Sequence, residues 1–129
     1  SKSIEKFIKA GIAVSLFIEP LSEQIAAAKR AGASHIELHT GSYANSASKP
    51  RQQIAELNKL LEAAALSKDS GLIVNAGHGL NYTNVIPLFK FKYWNEFNIG
   101  HSIISRAVLI GLGQAVRDMK SILNYGSDL

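Results

Sequence analysis

The stretch LIVNAGHG, residues 72–79, decides the fold of this chain. Its apolar half predicts a short strand, and the glycine-rich turn that follows places His78 directly at the strand end. A second stretch of the same design, NEFNIGHS at residues 95–102, ends in Gly100, His101 and a serine. In parallel β/α folds, ligands bind at the carboxyl ends of the strands. The two stretches therefore predict a ligand site at that edge of a parallel sheet.

Short apolar runs of this kind alternate with helical patterns along the whole chain. The predicted strands cover residues 12–18, 34–39, 72–75 and part of 94–99. The predicted helices cover the residues before Gly11 and then residues 20–31, 50–71, 84–91, 102–110 and 114–123, with a polar loop at 40–46 and a glycine break at 111–113. Strict alternation of short, branched apolar strands with helices predicts a parallel sheet that is covered by helices.

Two architectures fit four β-α units, namely an open doubly wound sheet and a barrel. A (β/α)8 barrel has eight units in about 250 residues, so the barrel requires that half of it is absent from these 129 residues. The barrel is favoured because its phosphate site is often built from the loops after strands 7 and 8 and from a short extra helix. The sequence therefore predicts an α/β fold with residues 1–129 as a single partial domain. That domain is half of a (β/α)8 TIM barrel, strands 5–8, with a short extra helix after the last strand.

The composition is that of a globular protein, with 47% hydrophobic and 19% charged residues and a formal charge of +4. The basic residues are scattered, so we expect solvated helix faces and no nucleic-acid-binding surface. The absence of cysteine excludes disulfides, thiolate metal sites and cysteine nucleophiles. No apolar run approaches the roughly 20 residues that a membrane helix needs. The chain starts without methionine and enters a helical pattern at once, which fits a chain that begins mid-fold.

Eight polar residues lie where the predicted strands turn into loops. They are Glu19, Glu37, His39, Thr40, Asn75, His78, Asn98 and His101. Because this edge of a parallel β/α fold holds the ligand, each of them is a candidate for chemistry. Tyr43 and Tyr82, in loops of the same rim, are expected to cover a ligand or to stack on the surface.

The two Gly-His pairs are the candidates with the most specific pattern. His78 stands between glycines, which let the backbone approach an anionic ligand, and a histidine exchanges protons near neutral pH. His101 follows Gly100 at the start of a helix, where free amides and the helix dipole favour phosphate. The alternatives are a structural turn for the first pair and a simple capping turn for the second.

Glu37 alternates with Ile36 and Leu38, so we expect it to point into the barrel if those two pack against the helices. A buried carboxylate needs a partner, which makes Glu37 either an active-site group or half of a structural ion pair. His39 shares this facing and is expected to be a hydrogen-bond partner behind the site. A zinc site at these residues is the weaker alternative, because no two of them have a helical ligand spacing.

Four blocks of the sequence resemble the pyridoxine 5'-phosphate synthase family, in order and at matching spacing, over essentially the whole chain. The blocks are VSLFI at residues 14–18, IELHTG at 36–41 with Tyr43 and Ala44, VNAGHGL at 74–80 and EFNIGHSII at 96–104. The chain therefore resembles the C-terminal half of the proteins of that family. The resemblance implies a (β/α)8 barrel of the cytoplasm that assembles as a homo-octamer. It also implies phosphorylated small-molecule substrates, no organic cofactor, no obligatory metal, and neither nucleic acid nor membrane as a partner.

The family condenses 1-deoxy-D-xylulose 5-phosphate with 3-amino-2-oxopropyl phosphate to pyridoxine 5'-phosphate in vitamin B6 synthesis, releasing phosphate and water. The resemblance assigns proton donation to His78, ligand contact to Gly79, phosphate binding to Gly100 and His101, and transition-state stabilisation to Glu37. The first half of the family barrel carries another acid/base histidine, a proton-accepting glutamate and phosphate-binding arginines. None of the matching motifs occurs here, so we expect this chain to be inactive without the missing N-terminal half.

Two other functions remain open. One is a different phosphate-binding TIM-barrel enzyme, such as an isomerase or an aldolase, although none of the predicted strands offers a Schiff-base lysine. The other is a non-catalytic phosphate-binding half-barrel. An activity assay of the chain with and without the missing half distinguishes these possibilities.

Overall fold

The computed structural model describes residues 2–127 and shows an α/β architecture built around one parallel sheet. The strands are β1 (Ser15–Ile18), β2 (His35–His39), β3 (Ile73–Gly77) and β4 (Trp94–Asn98). The helices are α1 (Lys2–Lys9), α2 (Ser22–Ala31), α3 (Gly41–Asn45), α4 (Pro50–Asp69), α5 (His101–Ile110) and α6 (Leu112–Ser127), and a 3₁₀ helix spans Ile86–Lys90. Helices follow every strand, as the sequence pattern predicts.

The four strands lie in the sheet in chain order, and every neighbouring pair is parallel. Glu37 of β2 pairs with Asn75 of β3. Two residues further along, His39 pairs with Gly77, and Gly77 pairs with Asn98 of β4. The carboxyl ends of these three strands are therefore level, which brings the strand-end residues to one edge. Sequential parallel strands with helices between them are the arrangement of half a (β/α)8 barrel, as predicted.

The hydrophobic core lies between the sheet and the helices. Ile36 and Leu38 of β2 are buried on the helix side of the sheet, and so are Val74 and Ala76 of β3. These strand residues belong to one cluster with buried side chains of the helices, among them Ile25, Ala28, Leu57, Leu60, Ala64, Leu88 and Met119. Because side chains alternate along a strand, the burial of Ile36 and Leu38 turns Glu37 to the opposite face, as expected.

The opposite face of the sheet is only partly covered by the described residues. Phe17 of β1 is 57% exposed and Ile73 of β3 is 43% exposed. In a closed barrel this face lines the interior, where side chains from all the strands pack in layers. Exposed apolar side chains on this face fit a half-barrel that packs against further strands. Within residues 2–127, none of the helices combines the length and the apolar character needed to cross a membrane.

The polar segment 40–46 is not the loop that its composition predicts. Residues Gly41–Asn45 form α3, and the amide of Ala44 donates to the carbonyl of Thr40. The prediction was wrong because Tyr43 is buried and anchors this turn in the core. Polar composition alone favours a loop, but one buried aromatic side chain is enough to fix a short helix on the sheet edge.

Other element bounds also differ from the prediction; β3, for example, runs to Gly77 instead of ending at Asn75. β1 starts at Ser15 rather than at residue 12, because its partner strand starts at His35, which pairs with Ser15. The helix expected over residues 84–91 is the shorter 3₁₀ helix. The glycine break is confined to Gly111, whose φ of +82° ends α5, whereas Gly113 lies within α6.

Candidate functional site

The turn after β3 holds His78 in a backbone conformation that is uncommon for a residue with a side chain. The φ angle of His78 is +84° and that of Gly79 is +75°. The buried Thr40 hydroxyl fixes this turn, since it donates to the carbonyl of Gly77 at 2.7 Å and also reaches the carbonyl of His78. Such a conformation costs roughly 1–3 kcal/mol and persists where the surrounding contacts impose it, often at functional sites.

Two further contacts hold the Gly79 end of the turn. A Cβ added at Gly79 would lie 2.8 Å from the Cβ of Ala44, so the turn packs directly on α3. The Asn84 amide donates to the carbonyl of Gly79 at 3.1 Å, and the Tyr43 hydroxyl donates to the carbonyl of Asn84 at 2.7 Å. The position therefore needs glycine for both its φ angle and its space.

The second Gly-His pair lies at the start of α5. Gly100 precedes the helix, which begins at His101, and a Cβ added at Gly100 would meet nothing within 4 Å. The first amides of a helix have no partner within the helix and attract anions. The Ser102 hydroxyl donates to the carbonyl of Leu80 at 2.9 Å, which ties this helix start to the turn after β3.

The two Gly-His loops share one pocket of about 570 Å³. Its lining contains four of the five site residues predicted from the sequence, namely His78, Gly79, Gly100 and His101. The other lining residues are Leu80, Asn81, Asn98, Ile99, Ser102 and Ser105. Backbone amides, two imidazoles and two hydroxyl side chains thus converge on one cavity at the carboxyl edge of the sheet. Such a set can bind an anion and exchange protons with it.

Glu37, the fifth predicted residue, lies beside this pocket rather than in its lining. The Asn98 amide, which does line the pocket, donates to Oε2 of Glu37 at 2.8 Å. A Cβ added at Gly77 would overlap the other carboxylate oxygen, Oε1. Glu37 therefore packs against the bare backbone at Gly77, and Asn98 links it to the pocket.

His39 and Glu19 form a hydrogen-bonded pair on the same edge of the sheet. Nδ1 of His39 lies 2.6 Å from Oε1 of Glu19. The His39 ring packs edge-on against the His78 ring with 4.6 Å between the centroids. Glu19 and His39 were both candidates from the sequence because each lies at the end of a predicted strand. Their pairing was not predicted, because it depends on the contact between the end of β1 and the end of β2.

The two rim tyrosines do not line this pocket. Tyr43 is buried, and burial raises the pKa of its phenol above the ordinary value. The Tyr82 hydroxyl donates to the carbonyl of Ala115 at 2.8 Å, and the Arg106 guanidinium lies over its ring. Tyr43 therefore neither stacks on the surface nor lines this pocket, because its ring is buried in the core.

Arg106 is engaged in an ion pair away from the pocket. Its Nε donates to Oδ2 of Asp118 at 2.8 Å, and this hydrogen bond, together with one from Gln114, lowers the pKa of the Asp118 carboxyl. The pair joins α5 to α6. The pocket residues that sequence reasoning missed are Asn81, Ser102 and Ser105. Ser102 could have been predicted from the sequence, because it follows His101 in the first turn of a helix that begins after a Gly-His pair.

The zinc alternative finds no support in the side-chain geometry. Among the residues that the structure describes, no group of three or more His, Asp or Glu side chains is arranged to hold a metal ion. His39 is paired with Glu19 instead.

The fold and the site together indicate the class of protein to which this chain belongs. It is a β/α-barrel protein with a pocket at the carboxyl ends of the strands. Comparison with known families narrows this class. A model of the family described as Pyridoxal phosphate biosynthesis protein PdxJ matches residues 1–125. The chain belongs to the PdxJ family.

Several curated relatives are similar to this chain, and each is named pyridoxine 5'-phosphate synthase. The protein of Trichlorobacter lovleyi is 52% identical over 115 residues, which are 89% of this chain and 48% of that protein. The protein of Idiomarina loihiensis is 55% identical over 115 residues, 89% of this chain and 47% of that protein. The protein of Geobacter sp. strain M21 is 50% identical over 123 residues, 95% of this chain and 51% of that protein. The chain thus spans about half the length of the curated relatives it matches.

Proposed function

We propose that this chain supplies the second half of a pyridoxine 5'-phosphate synthase. The complete barrel would condense 1-deoxy-D-xylulose 5-phosphate with 3-amino-2-oxopropyl phosphate, forming pyridoxine 5'-phosphate and releasing phosphate and water. The observation that carries the proposal is the shared pocket, in which two glycine-backed histidine loops face one cavity. Family membership supports the choice of reaction, because the relatives carry the name of this synthase.

The phosphate groups of the substrates bind where the backbone is open. Gly79, Gly100 and His101 line the cavity, and at Gly100 an added Cβ would meet nothing within 4 Å, so an anion can approach the backbone there. The first amides of α5 have no partner within the helix and attract anions. The helix dipole of α5 adds a partial positive charge at His101. Gly79, Gly100 and His101 therefore form the phosphate-binding part of the site.

His78 and Glu37 perform the chemistry that this chain contributes. Ring closure proceeds through imine formation, dehydration and proton shifts, so a group must protonate each departing oxygen. His78 stands in the pocket on a turn fixed by Thr40 and donates that proton. Glu37, held beside the pocket through Asn98, stabilises the cationic intermediates that form on the way.

The remaining half of the barrel supplies the groups that these residues lack. In this proposal it adds the first four strands, a second acid/base histidine, a proton-accepting glutamate and phosphate-binding arginines. Family resemblance also favours a homo-octamer in the cytoplasm. The partly covered inner face of the sheet, with Phe17 and Ile73 exposed, supports packing against further strands.

Replacing His78 in the complete barrel tests the proposal. In His78→Asn, product formation should fall by about 10²–10⁴-fold, the usual contribution of a general acid, while inorganic phosphate still binds. His35→Asn is the matched control, because His35 lies at the opposite end of β2 and bonds Ser34. Undiminished turnover in His78→Asn would overturn the assignment. Phosphate binding without any product from the wild-type barrel would favour a non-catalytic phosphate-binding protein or a different barrel enzyme.

A further inference from the structure

We infer that Glu19 and His39 form a positioning pair that holds the His78 ring in the orientation from which it donates a proton. The inference rests on the proposed function, since it deepens the role given to His78. The pair lies outside the pocket lining, and the His39 ring packs against the ring of His78, which does line the pocket. Its two members come from different strand ends, so the sheet register sets their contact.

Glu19 is fixed directly after β1. Its backbone amide donates to Oε1 of Gln24 at 2.9 Å, and its carbonyl accepts from the amide of Leu21 at 2.7 Å. The carboxylate then reaches Nδ1 of His39 at 2.6 Å. Because a carboxylate only accepts, Nδ1 of His39 carries the proton, and the tautomer and ring plane of His39 are set by Glu19.

The His39 ring, oriented by Glu19, packs against the His78 ring and limits its rotation. The two rings meet edge to face, with centroids 4.6 Å apart and planes at 63°. The ring of Phe17 packs against both histidines, with its centroid 5.1 Å from that of His39 and 6.5 Å from that of His78. A Cβ added at Gly41 would lie 2.7 Å from Nε2 of His39 and 3.1 Å from Cδ2 of His78, so the start of α3 closes the remaining space around the pair of rings.

Contacts with neighbouring rings are what restrain the His78 side chain, because its ring centroid lies 4.6 Å from that of His39 and 6.5 Å from that of Phe17. The backbone of His78 is held by Thr40, but the residue is exposed and none of its ring nitrogens has a hydrogen-bond partner among the side chains described here. A proton donor that is misplaced by about 1 Å can lose a factor of about 10² in rate. The His39 ring restricts the directions that the His78 imidazole can take, and Glu19 keeps the His39 ring in place.

The test uses the complete barrel with two substitutions of Glu19 and one matched control. Glu19→Ala should lower kcat by about 10- to 100-fold and leave the KM for both phosphorylated substrates unchanged, because phosphate contacts lie elsewhere. Glu19→Gln should retain more of kcat than Glu19→Ala, since its amide oxygen can accept the same hydrogen bond from His39. Glu23→Ala removes an exposed carboxylate from the first turn of α2 and should leave both constants unchanged.

Crystal structures of the wild type and of Glu19→Ala give a readout that does not depend on turnover. The His39 ring should rotate away from its wild-type position, and the 4.6 Å packing against His78 should be lost. An unmoved His78 ring, or an unchanged kcat in Glu19→Ala, would overturn the inference. If the wild-type barrel makes no product, the proposed function fails, and the position of the His78 ring alone then decides whether the pair positions it.

Discussion

Three glycines at the carboxyl edge of the sheet serve three different purposes. Gly77 leaves room for the Glu37 carboxylate, and Gly79 is required by its φ of +75° and by its contact with Ala44. Gly100 has neither reason, because its φ is −118° and an added Cβ would meet nothing within 4 Å. No contact among the described residues explains why residue 100 is a glycine. A ligand that approaches the backbone closely would explain it, because a side chain would stand in its way.

Replacing Gly100 with alanine in the complete barrel separates binding from folding. The added methyl group projects into open space, so we expect the melting temperature to stay the same. The affinity for inorganic phosphate should fall by about tenfold, equivalent to about 1.4 kcal/mol, because the methyl group keeps the anion from the amides. Isothermal titration calorimetry measures this affinity.

Gly113→Ala is the matched control for this experiment. It adds the same methyl group to a glycine of α6, near the Arg117 guanidinium and outside the pocket lining. Phosphate affinity should be unchanged in it. Equal affinities in the wild type and in Gly100→Ala would show that no phosphate approaches this backbone.

For individual residues, the sequence predicted where a side chain lies in the fold better than it predicted which side chain it contacts. His78, Gly79, Gly100 and His101 were assigned to one edge because each follows an apolar run, and the structure places them in one pocket. Their roles stay predictions. The Glu19–His39 contact was not predictable, because the alternation of side chains gives the face of a strand but not the register between two strands.

At the scale of secondary-structure elements, α3 is the part of the fold that joins the core to the site. Tyr43 of α3 is buried and donates to the carbonyl of Asn84, whose side chain bonds the Gly79 end of the turn. The sequence predicted the strands and the long helices because their apolar periodicity is strong. It missed α3 because five residues are too few to show a period and because most of them are polar.

Tyr43→Phe tests the link between α3 and the turn. The loss of one buried hydrogen bond should lower the free energy of unfolding of the complete barrel by about 1 kcal/mol at neutral pH. Burial raises the pKa of Tyr43, so the neutral phenol is favoured in the folded state and the unfolded chain ionises first near pH 10. The stability tied to this proton is present below pH 10 and is lost as the pH rises toward the raised folded pKa.

Chemical denaturation at neutral pH and above pH 10 checks both effects. Tyr43→Phe should lose less stability than the wild type between the two pH values, because phenylalanine cannot ionise. Tyr125→Phe, at a position that is 67% exposed, is the matched control and should behave like the wild type. A Tyr43→Phe protein with wild-type stability at both pH values would show that the hydroxyl contributes nothing to this link.

At the scale of the whole molecule, the sheet has two strands with a single neighbour each among the described residues. β1 pairs only with β2, and β4 pairs only with β3. Strand edges of this kind tend to pair with other chains, and a closed barrel removes them. The sequence predicted this situation from the number of β-α units, because four units are half of what a (β/α)8 barrel contains.

Reconstitution of the barrel from two chains tests whether this chain supplies half of a pyridoxine 5'-phosphate synthase. This chain is co-expressed with the part of the Trichlorobacter lovleyi relative that lies outside the match, and pyridoxine 5'-phosphate is measured after both substrates are added. We expect the two chains to co-purify and form the product and this chain alone to form none. In the co-purified pair, His78→Asn should lower product formation by about 10²–10⁴-fold. Product from this chain alone, or a co-purified pair that forms no product, would rule out the proposal that this chain is the second half of such a synthase.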